Sequence, residues 1–283
     1  MRTASQNCEI ARDWNEGTWW DFFCRHIIRI GPAPRDQSRT MDETSWWDAW
    51  NATYHSAQDG PISSELYGEA AAVVNSIAKD GDRSVLEIGC GTGSLSRLLA
   101  SSSYHGIDIS PAAIDIARQK AACLRLPAGR RSPVYEAADW LDWSPPYESF
   151  DVAVCIDAIA CFRDRESALS RIARSLRPSG RLVLTTLNPF VYRRISRKLA
   201  SYLQSGPFSH WLSRRELHAL LRSAGFAIER SYTIMPAGER GILRIINSRR
   251  LNQAFGRNSE ALCRRLKERA GLGRYRIVIA RKN

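Results

Sequence analysis

The fold of this chain is decided by the stretch Ser84-Val85-Leu86-Glu87-Ile88-Gly89-Cys90-Gly91-Thr92-Gly93-Ser94. Its apolar run, residues 85–88, predicts a short buried strand. Three glycines follow at alternate positions, where any side chain would keep a ligand away from the backbone. The apolar periodicity that begins at Leu95 predicts a helix over 94–101, whose free N–H groups would face a ligand above the loop. Strand, glycine loop and helix together predict a nucleotide-type binding site.

Two acidic residues follow later predicted strands at informative positions. Asp108 ends a second predicted strand, 104–108, and lies 17 positions after Gly91. A carboxylate at that offset is placed to accept hydrogen bonds from a ribose diol. Asp139 and Trp140 follow a third predicted strand, 133–138. The acids therefore predict that the ligand carries a nucleoside.

The glycine spacing is GxGxG, which differs from the GxGxxG of dinucleotide-binding folds. Together with Asp108, Asp139-Trp140 and the turn at 176–180, it resembles the class I S-adenosylmethionine (SAM) methyltransferases. The resemblance runs from about residue 82 to 234, plus a final strand predicted at 275–280. It implies an α/β fold, a doubly wound seven-stranded sheet with its last strand antiparallel, and SAM as the cofactor.

The resemblance also implies roles for individual residues. Glu87, Gly89, Cys90, Gly91 and Gly93 would line the methionine end of the cofactor. Asp108 could instead be a turn residue before Pro111, and Asp139 could instead cap a helix. The remaining implied contacts are Asp108 to the ribose, Ile109 to the adenine ring, Asp139 and Trp140 to the adenine edge, and Asp157 to the cofactor amine or the substrate. Asp157 could equally be a solvated loop acid.

The loop after the fourth predicted strand, 157–162, bears on the methyl acceptor. It lacks the Asn/Asp-Pro-Pro-Tyr sequence that the resemblance associates with exocyclic amines of bases, so such targets are not expected. Many small-molecule relatives carry a histidine in this loop, where this chain has Cys161. We therefore expect no metal ion and no histidine base at this position.

Two histidines elsewhere are candidate catalytic bases, because imidazole can take a proton from a hydroxyl near neutral pH. His210 lies in a segment where relatives bind substrate, and His55 lies beside Tyr54.

The chain divides into a tryptophan-rich arm, 1–63, and a methyltransferase domain, 64–283. Segments 188–212 and 236–270 are predicted insertions that contact substrate. Six tryptophans precede residue 51, and Trp46, Trp47 and Trp50 fall at helical spacing. The arm is either a lid over the site or an apolar staple onto the domain.

Basic residues are concentrated near the C-terminus. Residues 190–283 hold 21 Lys and Arg against 5 Asp and Glu, within a net charge of +12. Segment 190–203 places apolar residues on one helical face and basic residues largely on the other, which is typical of an interfacial helix. Residues 185–188 and the following insertion resemble quinone O-methyltransferases. Peripheral contact with an anionic membrane is one prediction, and an ordinary surface helix is the other.

Composition predicts a cytoplasmic protein. The hydrophobic fraction is 44%, no run reaches the length of a membrane span, and the N-terminus lacks a signal pattern. The seven cysteines form no CxxC motif, so we expect reduced, structural thiols.

The predicted function is methyl transfer from SAM to a small molecule, at a hydroxyl of a lipid-linked or anionic acceptor such as a quinone-like compound or a glycolipid. RNA methylation would also explain the basic C-terminal third, but no RNA-binding module is recognised, so nucleic acid is not the expected partner. A non-catalytic partner protein is the third alternative; a degenerate glycine loop would have been its signature.

Overall fold

The computed structural model describes residues 42–54, 61–77, 83–100, 103–126, 129–195, 211–236 and 265–283. Its α-helices are α1 Glu43–Tyr54, α2 Pro61–Ile77, α3 Pro111–Ala122, α4 Arg165–Ser175, α5 Pro189–Ile195 and α6 Arg214–Ser223. Its strands are β1 Ser84–Ile88, β2 Ser103–Asp108, β3 Val134–Ala137, β4 Phe150–Ile156, β5 Leu176–Leu187, β6 Phe226–Pro236 and β7 Gly273–Lys282.

The strands form one seven-stranded sheet in the order β3-β2-β1-β4-β5-β7-β6. Neighbouring strands from β3 to β5 pair in parallel, whereas β7 is antiparallel to both β5 and β6. The predicted doubly wound α/β sheet with its last strand antiparallel is therefore confirmed. The strand order reverses between β1 and β4, and ligands of such sheets bind beyond the carboxyl ends of the strands at that point.

Both faces of the sheet are covered by apolar side chains. Val152 and Val154 of β4 pack on the face shared with α2, and Ala153 and Cys155 pack on the opposite face with α4 and α6. All four side chains are completely buried. Burial on both faces explains why the central strands are almost continuously apolar in sequence.

The prediction of a helix over 94–101 is wrong. Residues 91–95 form turns, and a 3-10 helix spans Ser96–Leu98. The crossover to β2 leaves too few residues to offset the cost of nucleating an α-helix. Asn75 of α2 holds the short helix, because its side-chain amide donates to the Leu98 carbonyl at 3.0 Å and accepts the Ala100 N–H at 2.8 Å. The glycine loop therefore leads into a turn and does not face a helix N-terminus.

Other elements lie close to their predicted bounds. A capping box formed by Ser213 and Glu216 is present at the start of α6. Strand β5 begins at Leu176, within the turn expected at 176–180, because Phe150 pairs with Leu176 before the main register begins. The intervening residues bulge out of the ladder, and Ser179 takes a left-handed φ of 62°.

Several predictions concern residues outside the described part of the chain. These are the arm up to residue 41, both candidate bases (His55 and His210), most of the 190–203 segment and most of the 236–270 insertion. Among the helices that are described, none has the length and apolar character needed to cross a membrane.

Two glycines test how tightly the fold constrains the loop. A Cβ on Gly89 would lie 2.5 Å from the Cβ of Ala158, and Gly89 has a φ of 71°. Gly68 lies exposed in α2, where an added Cβ would meet nothing within 4 Å. We expect Gly89→Ala to lower the free energy of unfolding by about 1–3 kcal/mol, because alanine is strained at this left-handed φ. Gly68→Ala should raise it by about 0.5–1 kcal/mol, because alanine is the better helix former.

Urea denaturation of the two variants and the wild type measures both effects. Equal stability of Gly89→Ala and wild type would show that the loop can move away from Ala158, contrary to this packing.

Candidate functional site

A cavity of about 250 Å³ lies at the carboxyl edge of the sheet, where β1, β2 and β4 end. Six of the residues predicted to bind cofactor line it: Gly89, Asp108, Ile109, Asp139, Trp140 and Asp157. They come from four separate segments of the chain. The sheet therefore brings together residues that lie far apart in sequence.

Backbone hydrogen bonds fix the glycine loop against the end of β2. The N–H groups of Gly89 and Cys90 both donate to the Ile107 carbonyl, at 2.8 and 3.0 Å. The Gly91 N–H donates to the Asp108 carboxylate at 2.7 Å. The loop conformation is thus held by the strand that supplies the predicted ribose ligand.

Asp108 is a half-buried carboxylate at the centre of this arrangement. Its second oxygen accepts the Ser110 N–H at 3.0 Å. Burial raises the pKa of Asp108, the Ser110 and Gly91 N–H groups oppose that shift, and the nearby charge of Asp48 adds to it. Each carboxylate oxygen keeps a further lone pair, so Asp108 can still accept from a ribose hydroxyl.

Asp48 attaches helix α1 to this part of the site. Its carboxylate accepts the Ser110 hydroxyl at 2.6 Å and the Ala112 N–H at 3.2 Å, at the start of α3. Because negative charge is favourable at a helix N-terminus, this contact stabilises α1 in its position over the cavity. Glu43 and Trp47 of α1 are part of the cavity wall. The arm therefore contributes directly to the site, and its predicted role as a lid stays a prediction.

The predicted adenine end is closed by an ion pair. One oxygen of Asp139 accepts the Leu141 N–H at 2.8 Å, and the other pairs with Arg163 at 2.9 Å. Arg163 also approaches Asp142 at 3.4 Å. Trp140 is buried, and its indole N–H donates to the Ala168 carbonyl at 3.1 Å. The Asp139 side chain is therefore held by the Leu141 N–H and by Arg163.

The opposite end of the cavity contains Asp157, which directly follows β4. Its N–H donates to the carbonyl and the hydroxyl oxygen of Thr185, at 3.1 and 3.0 Å. Its φ is 55°, a left-handed conformation that non-glycine residues seldom adopt. Burial raises the pKa of Asp157 to about 7, and the Leu187 N–H opposes the shift.

The other predicted cofactor residues lie beneath the loop rather than on the cavity wall. Glu87 is completely buried, and its carboxyl group accepts a hydrogen bond from the Tyr104 hydroxyl. Burial raises the pKa of Glu87 to about 8. The Cys90 thiol is buried against Gly106, and a Cβ on Gly93 would meet the Tyr135 hydroxyl at 2.6 Å. The side chains of Glu87 and Cys90 therefore lie beneath the loop, and Gly91 donates its N–H to Asp108.

Sequence reasoning missed part of the cavity wall. The additional residues include Glu43, Tyr67, Phe162, Arg163 and Tyr275. Tyr275 lies on β7 and Tyr67 on α2, so no local motif places either one beside the glycine loop. The tryptophan spacing in α1 was the signal that pointed to the arm.

The residues present fit SAM. The glycine loop leaves its backbone open, and Asp108 and Asp139 stand where the ribose and adenine would need acceptors. One oxygen of Glu87 is buried without a hydrogen-bond partner among the described residues, beneath the expected methionine end. In the same part of the chain no three His, Cys, Asp or Glu side chains form a group able to hold a metal ion. Burial raises the pKa of the Cys161 thiol well above its usual range, so this cavity residue stays neutral.

Comparison with known proteins shows the family of this chain. A family profile described as "Methyltransferase domain" matches residues 62–231. An O-methyltransferase, cnsE, of Penicillium expansum is 34% identical over 149 residues, which cover 51% of this chain and 52% of the relative. A ubiquinone biosynthesis O-methyltransferase of Hahella chejuensis is 28% identical over 193 residues, covering 63% and 74%. The chain spans about half the length of the first curated relatives it matches.

A similar fold occurs in solved structures. The crystal structure of a SAM-dependent methyltransferase from Thermotoga maritima superimposes with a TM-score of 0.54 at 18% identity, covering 83% of this chain and 98% of that chain. At this identity the likeness shows the fold alone.

The buried Glu87 carboxyl group predicts a pH-dependent stability. The folded protein holds this proton up to about pH 8, whereas the ordinary pKa of the group is 4.5. Between those pH values the unfolded state binds fewer protons, so the free energy of unfolding falls as pH rises, by up to about 1.4 kcal/mol per pH unit. Glu87→Gln keeps the shape of the side chain but has no group that titrates in this range. The variant should therefore show a smaller fall of the free energy of unfolding with pH.

Urea unfolding of wild type and Glu87→Gln between about pH 5 and pH 8 measures the difference. Asp157 contributes a slope of the same sign in both proteins, so the comparison isolates Glu87. Parallel slopes would mean that Glu87 is ionised in the folded protein.

Proposed function

The chain belongs to the class I SAM-dependent methyltransferases, and from this premise we propose that it transfers the methyl group of SAM to a hydroxyl group of a small molecule. The observation that carries the proposal is the cavity that joins Gly89, Asp108 and Asp139 to a second wall made of Tyr67, Asp157 and Tyr275. The first set has the donors and acceptors that a nucleoside requires, and the second set would face the methyl acceptor.

Several cavity residues have a definite task in this proposal. Asp108 would hold the ribose hydroxyls, Ile109 would pack on the adenine, and Asp139 with the backbone at Trp140 would bind the adenine edge. When bound, SAM supplies an electrophilic methyl group on a sulfonium. Trp47 of helix α1 is part of the cavity wall, and as a lid α1 would exclude water and favour transfer by positioning and desolvation.

The acceptor is proposed to be a ring-bearing alcohol or phenol. Trp47, Tyr67, Phe162 and Tyr275 give the cavity aromatic walls suited to a flat apolar group. Several relatives are named O-methyltransferases, including enzymes of ubiquinone biosynthesis. These relatives support a quinol-like acceptor methylated at oxygen.

An anionic or lipid-linked acceptor is supported by the basic C-terminal third. Arg276 follows Tyr275 along β7, so its side chain lies on the opposite face of the sheet from the cavity, and both burial and the charge of Arg214 lower the pKa of its guanidinium. Arg214, Arg276 and Arg222 together also lower the pKa of His218, after burial as the first cause. This cluster of like charges lies on the α6 face of the sheet, outside the cavity, and it favours a negatively charged group near α6.

Membrane contact through residues 190–203 stays a prediction. In the described part of this segment, Phe190 is 48% exposed while Val191 and Tyr192 are buried. The basic residues Arg193, Arg194, Arg197 and Lys198 could each contribute about 1 kcal/mol near an anionic surface. Nothing in the described residues favours RNA over a small molecule as the methyl acceptor. Nor does anything in them favour a purely non-catalytic role over methyl transfer.

Replacing those four basic residues together by Gln should abolish co-sedimentation with anionic vesicles at low salt. Neutral vesicles serve as the control, because electrostatic attraction requires the anionic lipid. Undiminished pelleting of the variant would clear this segment of the role.

The cofactor assignment is tested by Asp108→Ala. The variant loses an acceptor for the ribose and for the loop N–H, so SAM binding measured by calorimetry should weaken at least about 10- to 100-fold, the loss expected for hydrogen bonds to a charged group. Asp115→Ala is the matched control, since Asp115 lies exposed on α3 and pairs with Arg118. Unchanged affinity in Asp108→Ala would refute the site.

Methyl transfer itself is tested with methyl-labelled SAM and a panel of hydroquinones, catechols and simple amines. Label in the phenolic products supports the proposal. Label found only in the amine products would contradict it. So would the absence of label from every product although SAM is bound.

A further inference from the structure

Asp157 is held in an unusual conformation where the two halves of the cavity meet. The next residue, Ala158, is the neighbour that leaves no room for a side chain at Gly89. The glycine loop and the Asp157 segment are therefore packed directly on each other. Because left-handed backbone at a non-glycine residue costs free energy, its presence on a cavity wall indicates a functional constraint.

Within the described part of the chain, the titratable groups that surround the Asp157 carboxyl group are neutral. They are Tyr67 of α2, Cys155 of β4, Cys161 of the following 3-10 helix (Ile159–Cys161), Tyr192 of α5 and Tyr275 of β7. Burial raises the pKa of every one of them, so all are uncharged near neutral pH.

Charged groups border this ring without neutralising Asp157. The charge of Arg274 lowers the pKa values of Tyr192 and Tyr275. The charge of Arg165 lowers the pKa of Cys161, and that of Glu43 raises it. Among the described residues, the group that stabilises the ionised form of Asp157 is the Leu187 N–H. A half-buried carboxyl group without a described cationic partner is costly to ionise unless a bound molecule supplies the positive charge.

We propose that Asp157 is the catalytic residue that accepts the proton of the acceptor hydroxyl, and that the positive charge of bound SAM converts it to the carboxylate form. This assignment rests on the proposed function. It gives the site a proton acceptor on a rigid strand end, and it does not require His210 or His55.

The proton balance is complete within the site. The acceptor O–H bond breaks and its proton goes to an Asp157 oxygen, while the oxygen lone pair forms the bond to the methyl carbon. The carbon–sulfur bond breaks with its electron pair staying on sulfur. Asp157 is then neutral beside an uncharged thioether, and it loses the proton to solvent when the next cofactor arrives.

Other groups on the wall are poorer proton acceptors. Cys161 is a neutral thiol, and burial raises the pKa of Tyr275 well above its usual range. A base works best when its pKa lies near the working pH. Burial places the pKa of Asp157 at about 7.

The experiment compares proton release on binding of SAM and of S-adenosylhomocysteine, by calorimetry at about pH 7 in two buffers of different ionisation enthalpy. The two ligands share the amino and carboxylate groups and differ in the sulfonium charge. A group whose pKa equals the pH is half protonated, so SAM should release up to about half a proton more than S-adenosylhomocysteine. Asp157→Asn should abolish the difference.

Asn is the suitable replacement, because it matches the shape of Asp and tolerates the left-handed backbone. Asp115→Asn is the control and should release protons as the wild type does. With a phenol from the panel as acceptor, Asp157→Asn should also lower kcat about 10²- to 10⁴-fold, and it should remove the ionisation near pH 7 from kcat/KM for SAM, which reports the free enzyme.

Three results would overturn the assignment. Equal release with both ligands would place Asp157 at the shared amino group and not at the methyl. Release that persists in Asp157→Asn would assign it to another residue. A wild-type protein that binds SAM without release would leave Asp157 without a titrating role, whereas failure to bind SAM at all would refute the proposed function itself.

Discussion

The close approach of Gly89 to Ala158 is the contact on which the rest of the site depends. It joins the end of β1 to the end of β4, at the place where the strand order of the sheet reverses. With no side chain on Gly89, the loop can turn sharply and donate its N–H groups to the end of β2. The ends of β1 and β4 are therefore packed against each other, and in the proposed function cofactor and acceptor meet over them.

Three acidic groups give this region its chemistry. Glu87, Asp108 and Asp157 all have pKa values raised first of all by burial, and no described cation pairs with Glu87 or Asp157. Such an arrangement costs stability when the acids ionise. A cationic ligand that binds the folded state offsets that cost, because it stabilises only the state in which the acids are assembled. The site is thus prepared for a sulfonium ligand by its charge as well as by its shape.

Local patterns in the sequence were enough to predict the sheet and the first half of the site. The glycine loop, Asp108 and Asp139 each follow directly from a strand end, so their placement needs no knowledge of distant parts of the chain. Long-range contacts were not predictable in this way. Tyr67 and Tyr275 reach the cavity through packing of α2 and β7, and Arg163 reaches it through an ion pair with Asp139. The helix predicted over 94–101 failed because periodicity carries no information on how short a crossover must be.

The central claim is that SAM and its products bind across the ends of β1, β2 and β4. Amide hydrogen exchange with and without S-adenosylhomocysteine tests it most directly, because the probes are backbone N–H groups and no substitution is needed. We expect slowed exchange in residues 89–93, 108–110 and 139–141, with the amides of α6 unchanged as an internal reference. Protection confined to other segments, or none at saturating ligand, would contradict the account.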